Sequence, residues 1–209
     1  MLTIINPKLG NIGSVANMLK KIGIEVSISS GAREIENAEK LILPGVGHFD
    51  VGMRHLREMK LCDILYRKVV ERQTPILGIC LGMQLMTRRS EEGSEPGLGW
   101  IEAETIKFRK SQVDPSLRFP HMGWNTVEPQ QQHDLFLRIE QEIRFYFVHN
   151  FHVVCDDQHD VLAMTEYGYP FVSAFHHQNI WGVQFHPEKS HQFGMHFLKK
   201  WVELCYENE

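Results

Sequence analysis

Residues 75–84 read Pro-Ile-Leu-Gly-Ile-Cys-Leu-Gly-Met-Gln, an apolar run that climbs to Cys80 with Gly78 and Gly82 on either side. The pattern predicts a short buried strand that ends in a sharp turn and hands over directly to a helix. That turn exposes a nucleophile at the edge of an α/β sheet. A cysteine at the start of a helix also sits where the helix dipole favours its thiolate form.

The residues before this turn alternate strand and helix. Leu2–Asn6, Ile24–Ile28, Leu41–Leu43 and Pro75–Ile79 are short and apolar, as buried strands are. Between them, Asn11 caps a helix with Ile12, Val15, Leu19 and Ile22 on one face and Gly23 at its end. A second helix runs over Leu61–Arg72, with Leu61, Cys62, Ile64, Leu65 and Val69 inward, and a third over Leu81–Arg89. Such alternation predicts a parallel sheet with helices on both faces. The second half reads as strands at Trp100–Phe108, Gly123–Val127, Phe145–His149, Val161–Thr165, Phe171–Phe175 and Ile180–Phe185, with antiparallel pairing among them. A helix over Ser190–Tyr206 closes the chain, and the polar loop Lys110–Pro120 is the expected mobile stretch. No linker or repeat divides the 209 residues, which predicts one domain, 1–209.

Composition narrows the function. A net charge of −4 offers no basic field for nucleic acid. No apolar run reaches the ~18 residues that span a membrane, and the N-terminus lacks the basic start of a signal peptide. Cys62, Cys80, Cys155 and Cys205 form no CxxC pair. A reducing, cytoplasmic setting is expected rather than a disulfide framework or a metal site.

A thiol nucleophile needs a base, and the base an orienting group. Gly182-Val183-Gln184-Phe185-His186-Pro187-Glu188 supplies both. Pro187 biases His186 towards an extended conformation, in which His186 and Glu188 emerge on one side. The third element is Pro44-Gly45-Val46-Gly47, again after a predicted strand. Its N–H groups, with that of Leu81, suit an oxyanion hole. Each piece alone has an ordinary structural reading: a core cysteine, a strand exit, a turn. Together they fall at three strand C-termini, where open α/β sheets bind ligands.

Gly78-Ile79-Cys80-Leu81-Gly82-Met83-Gln84, with Phe185-His186-Pro187-Glu188 and Pro44-Gly45-Val46-Gly47, resembles the triad-type (class I) glutamine amidotransferases. Pro120-His121-Met122-Gly123-Trp124-Asn125, Tyr146-Phe147-Val148-His149 and Glu188-Lys189-Ser190 are similar to the glutaminase subunit of imidazole glycerol phosphate synthase. The resemblance implies a flavodoxin-like fold: an open, twisted, mostly parallel sheet with helices on both faces and some antiparallel strands in the C-terminal half. It implies hydrolysis of L-glutamine by Cys80, His186 and Glu188, with no metal or organic cofactor. Ammonia then passes to a (β/α)8-barrel cyclase held as a heterodimer. The cyclase makes imidazole glycerol phosphate for histidine synthesis and an aminoimidazole carboxamide ribotide. By the same resemblance Gln84, His149, Asn150 and the Gly45–Gly47 loop hold glutamine. Gly10, Asn11, Trp124 and Lys189 lie towards the cyclase.

One segment departs from the pattern. Asn6-Pro7-Lys8-Leu9-Gly10 stands where the family often carries Asp-Tyr-Gly. The loop is expected near the partner, so it bears on which synthase takes the ammonia. A paralogous glutaminase that feeds another synthase, such as one amidating surface sugars, shares the same triad. A γ-glutamyl peptidase shares Cys80 and His186 but leaves Met-Gly-Trp-Asn and Glu188-Lys189-Ser190 unexplained, and a silent regulatory subunit keeps the fold for binding only and usually loses part of its triad.

Overall fold

The computed structural model describes residues 1–10, 12–109, 115–131, 133–136 and 142–207. A parallel run of strands forms its centre: β1 (Leu2–Ile5), β2 (Val26–Ser29), β3 (Lys40–Gly45) and β4 (Ile76–Cys80). With β12 (Ile180–Val183) they stand in the order β2-β1-β3-β4-β12, every neighbour parallel. β1, β3, β4 and β12 are buried along their whole length while the edge strand β2 is part-exposed, and side chains alternate between two cores. Ile42, Leu77 and Ile79 enter one core, while Leu41, Leu43 and Ile76 enter the other.

Helices cover both faces. On one side lie α1 (Ile12–Lys21) and α6 (His191–Glu207), which bury Ile12, Val15, Leu19, Phe197, Leu198 and Trp201. On the other lie α2 (Ala32–Glu36), α3 (Phe49–Glu58), α4 (Cys62–Tyr66) and α5 (Leu81–Leu85). Gly23 ends α1 as expected. It lies at φ 81°, and the N–H groups of Gly23 and Ile24 reach back to the carbonyls of Lys20 and Leu19 at 3.0 Å each.

The C-terminal half extends the sheet with antiparallel strands. β11 (Pro170–His177) pairs β12, then β10 (Val161–Glu166) and β7 (Glu128–Pro129) follow. β9 (Phe151–Cys155) joins β11 to β5 (Ala103–Lys107). A separate antiparallel ribbon of β6 (His121–Thr126) and β8 (Arg144–His149) packs Phe145 and Phe147 into the α1–α6 core.

Several expectations change. Helices α2 and α3 were not legible beforehand. Phe49, Met53 and Leu56 of α3 keep helical spacing, but Gly52 lowers helix propensity. It is there for packing: a Cβ at Gly52 would lie 3.0 Å from Leu85. The helix expected over Leu61–Arg72 divides into α4 and a π-helical turn over Arg67–Glu71. The helix expected over Leu81–Arg89 stops at Leu85, because Leu98, Trp100, Gly99 and Gly97 supply N–H groups to the carbonyls of Leu85, Met86, Thr87 and Arg88. The strand expected over Trp100–Phe108 begins only at Ala103, and β12 ends at Val183. Strand β9 went unseen because His152, Val153 and Val154 follow a strand with no turn signal other than Asn150. Asn11, the 110–114 part of the Lys110–Pro120 loop and the Cys205 side chain lie outside the described residues.

Candidate active site

Cys80 sits at φ 54°, ψ −110° between β4 and α5. A non-glycine residue held there is strained by about 1–3 kcal/mol, and such strain persists only where the surroundings enforce it. The flanking glycines allow the turn. A Cβ on Gly82 would lie 1.7 Å from the carbonyl oxygen of Leu43, and one on Gly78 would lie 2.7 Å from the amide nitrogen of Met83. Only bare backbone lets β3, β4 and α5 meet this closely.

His186 is buried, and its Nδ1 lies 2.7 Å from Oε1 of Glu188. The reason differs from the extended spacing read from sequence. His186 itself is extended at φ −104°, ψ 93°, but Pro187–Lys189 form a 3₁₀ turn with Pro187 leading. Proline is preorganised for the first helical position. The turn, rather than strand alternation, brings the carboxylate back to the imidazole. Ser190 locks it: its hydroxyl donates to the carbonyl of His186 at 2.6 Å and accepts the Tyr146 N–H at 3.0 Å. The His186 N–H in turn donates to the Tyr146 carbonyl at 2.9 Å.

Burial pulls the His186 pKa down, but the charge of Cys80, its side-chain hydrogen bonding and the Glu188 carboxylate outweigh burial and raise it to about 10. The imidazole is therefore held protonated at neutral pH.

A cavity of about 250 Å³ opens at this edge, lined by Val46, Gly47, Cys80, Leu81, Gln84, Glu92, Pro120, Val148, His149, Asn150 and Phe151. It lies below the roughly 300–1,000 Å³ range of sites for drug-sized ligands, as an amino-acid-sized ligand requires. A larger cavity of about 620 Å³ is lined by Thr74, Pro75, Asn179 and Lys68 at the opposite, N-terminal ends of the strands. It contains no triad residue, and the C-terminal edge is where such sheets carry their chemistry.

The structure thus brings together Cys80, His186 and Glu188, the Gly45–Gly47 loop, Leu81, Gln84, His149 and Asn150. Gly47 lies at φ 108° and Gly45 pairs with Cys80 across β3 and β4. Gln84 is buried, and its Nε2 donates to the Phe151 carbonyl at 3.2 Å and to Oε1 of Gln184 at 2.9 Å. Gln184, unmarked in the sequence reading, places its Nε2 3.6 Å from the Cys80 sulfur. Glu92 was also missed, since Ser90-Glu91-Glu92-Gly93 reads as a solvated turn. Its Oε2 accepts the Phe49 N–H at 2.7 Å.

Of the residues expected towards a partner, Gly10, Trp124 and Lys189 are among the described residues. Trp124 is 38% exposed and stacks on His191 at 5.5 Å, beside exposed Met122. Lys189 is exposed, with its Nζ 5.5 Å from the Tyr146 ring. Gly10 is exposed at φ 97°, and an added Cβ would lie in contact with the Val46 nitrogen at 3.4 Å.

Residues 4–204 match the family described as glutamine amidotransferase class-I, and the chain belongs to that family. Two relatives narrow this further, each an imidazole glycerol phosphate synthase subunit HisH 2. The one from Pseudomonas aeruginosa is 47% identical over 204 residues, covering 98% of this chain and 100% of that protein. The one from Methanococcus maripaludis is 49% identical over 203 residues, covering 97% and 99%. Among solved structures, a glutamine amidotransferase superposes with a TM-score of 0.75 at 19% identity, covering 98% of each chain. A second, PurLQS from Thermotoga maritima, gives 0.71 at 16% identity, with 97% of each chain covered. At these identities the structures show the fold alone. Among the described residues, no helix is long and apolar enough to cross a membrane.

Proposed function

We propose that the whole chain, 1–209, forms one glutaminase domain that works in the cytoplasm as a heterodimer with a (β/α)8-barrel cyclase in histidine biosynthesis. The observation that carries the chemistry is Cys80, held at a strained elbow beside a buried His186–Glu188 pair and a small cavity. The free thiols of Cys62, Cys80 and Cys155 suit a reducing compartment.

L-glutamine enters with its side-chain amide at Cys80. The Cys80 sulfur attacks the amide carbon. The oxygen that gains charge is met by N–H groups of the Gly45-Val46-Gly47 loop and Leu81, each donor worth about 3 kcal/mol in the transition state. His186 gives its proton to the departing nitrogen, and ammonia leaves. The neutral imidazole then takes a proton from water, which opens the γ-glutamyl thioester and releases glutamate. Glu188 holds the ring and balances its charge. Glu92 offers the carboxylate that the α-ammonium of a zwitterionic substrate needs, while Gln84, His149 and Asn150 complete the walls.

Gly10, Asn11, Trp124 and Lys189 face the cyclase, and the exposed Trp124 is the anchor. A second reading keeps the chemistry and changes the acceptor: a paralogous synthase takes the ammonia. The departing segment Asn6–Gly10 favours it, because Gly10 packs against the Gly45–Val46 peptide beside the site. Co-purification of the bound subunit, followed by glutamate release with and without it, tests both readings. A histidine-pathway cyclase that neither binds nor stimulates the chain overturns the first. Absence of glutamate release in every complex overturns the glutaminase itself.

A further inference from the structure

Behind the cavity wall runs a hydrogen-bond chain with a defined direction. The Phe151 carbonyl can only accept, so the Nδ1 of His149, 2.7 Å away, carries a proton. Burial and the neighbouring His121 hold the His149 pKa well below its ordinary value, so the ring is neutral and its Nε2 is an acceptor. The Nδ1 of His121 lies 2.9 Å from that Nε2 and must donate to it. Burial likewise lowers the His121 pKa, to about 4. Its Nε2 therefore accepts from the Asn125 amide Nδ2 at 3.2 Å. The Asn125 orientation is set independently, since its Oδ1 takes the Thr126 N–H at 2.8 Å and its Nδ2 also donates to the Glu166 carbonyl at 2.8 Å.

At its other end the chain reaches the nucleophile. The Phe151 carbonyl that accepts from His149 also accepts from Gln84. Gln84 donates to Gln184, and the Gln184 Nε2 points at the Cys80 sulfur. His121 has little freedom of its own. Its ring is stacked between Tyr167, at 4.0 Å and 29°, and Phe147, at 4.8 Å and 27°. His121 and His149 are also directly opposed across β6 and β8.

We infer that His121 is a positioning residue: its Nδ1–H holds His149 in the Nδ1-protonated tautomer, and thereby fixes the Phe151 carbonyl and the Gln84–Gln184 pair beside Cys80. His121 does not line the cavity and touches no substrate. The inference rests on the glutaminase reading for its kinetic consequence, but not for the tautomer.

Two measurements test it. In the full chain labelled with ¹⁵N-histidine, His149, assigned by its loss in His149→Gln, shows a proton on Nδ1 and none on Nε2 at neutral pH. A proton on Nε2 overturns the inference. In the complex with the cyclase, His121→Phe keeps a ring in the stack but removes the donor. It lowers kcat/KM for glutamine at least about tenfold, mainly through KM, as an unsatisfied buried acceptor turns. His121→Asn places an amide N–H near the Nδ1 position and stays within about threefold of the parent. Equal kinetics for folded His121→Phe and the parent, or an equal loss in His121→Asn, overturns the positioning role. If His121→Phe fails to fold, His121→Gln, whose amide reaches the Nε2 rather than the Nδ1 position, is read in its place by the same kinetics. A parent that hydrolyses no glutamine refutes the glutaminase reading, and the spectrum still judges the chain of hydrogen bonds.

Discussion

His186 and Glu188 meet at 2.7 Å across a single proline, in a turn that Ser190 closes from below. Glu188→Gln keeps the shape of this contact but removes its charge, and the amide can turn its NH₂ towards the ring and reverse the tautomer. The expected result is a fall in kcat of about 10²–10⁴-fold with little change in KM. Steady-state glutamate release in the cyclase complex checks it, and a loss confined to KM contradicts the orienting role.

Cys80→Ala removes the nucleophile and relieves little else, since the backbone strain at φ 54° remains. Glutamine-dependent synthesis should disappear while synthesis from added ammonium salts survives in the complex. Loss of both assigns Cys80 a structural role instead.

The two glycines that border the site differ in kind. Gly82→Ala drives a Cβ to 1.7 Å from the Leu43 carbonyl oxygen, so β3 and α5 must separate. A destabilisation of about 3 kcal/mol or more is expected, as for severe overpacking. At Gly47 no atom lies within 4 Å of an added Cβ, and only the φ of 108° opposes it. Gly47→Ala should lose about 1–2 kcal/mol of stability and lose activity out of proportion, because the loop's peptide planes no longer rotate cheaply. Urea titration beside glutamate release separates the two effects.

Stability should fall on acidification below pH 6.5. Burial holds His121 and His152 neutral in the folded chain, with pKa values of about 4, whereas the unfolded chain takes up protons near 6.5. Between these values the unfolded state binds more protons, so stability rises with pH and is lost as pH falls from 6.5 towards 4. Each group contributes about 3 kcal/mol once the loss is complete. Urea midpoints at pH 7 and pH 4.5 measure it, and His152→Gln should flatten the dependence.

Trp124→Ala should leave the chain's own unfolding nearly unchanged, because the ring is 38% exposed and rests on His191. Affinity for the cyclase should fall by about 2 kcal/mol, the loss typical of an aromatic interface anchor. Titration calorimetry with the purified partner reads this directly, and an unchanged affinity removes Trp124 from the interface.

The triad was legible because its members stand at strand ends, where short apolar runs mark the chain clearly. Glu92 and Gln184 were not legible. One lies in an acidic turn and the other inside an apolar strand exit, and neither composition nor spacing distinguishes them from solvated or core residues. Helix α3 was hidden by Gly52, whose purpose is the approach of Leu85 from a separate helix.

The sequence by itself determined the parallel centre of the sheet, the elbow at Cys80 and the pairing of His186 with Glu188, because these rest on local patterns of apolar spacing, glycine and proline. Only the tertiary structure decided that His186 and Glu188 meet through a 3₁₀ turn. It also decided that α5 ends at Leu85 and that His121 reaches Cys80 through four intervening groups. Those outcomes depend on which distant backbone groups arrive to satisfy one another's hydrogen bonds, and a one-dimensional pattern carries no record of that.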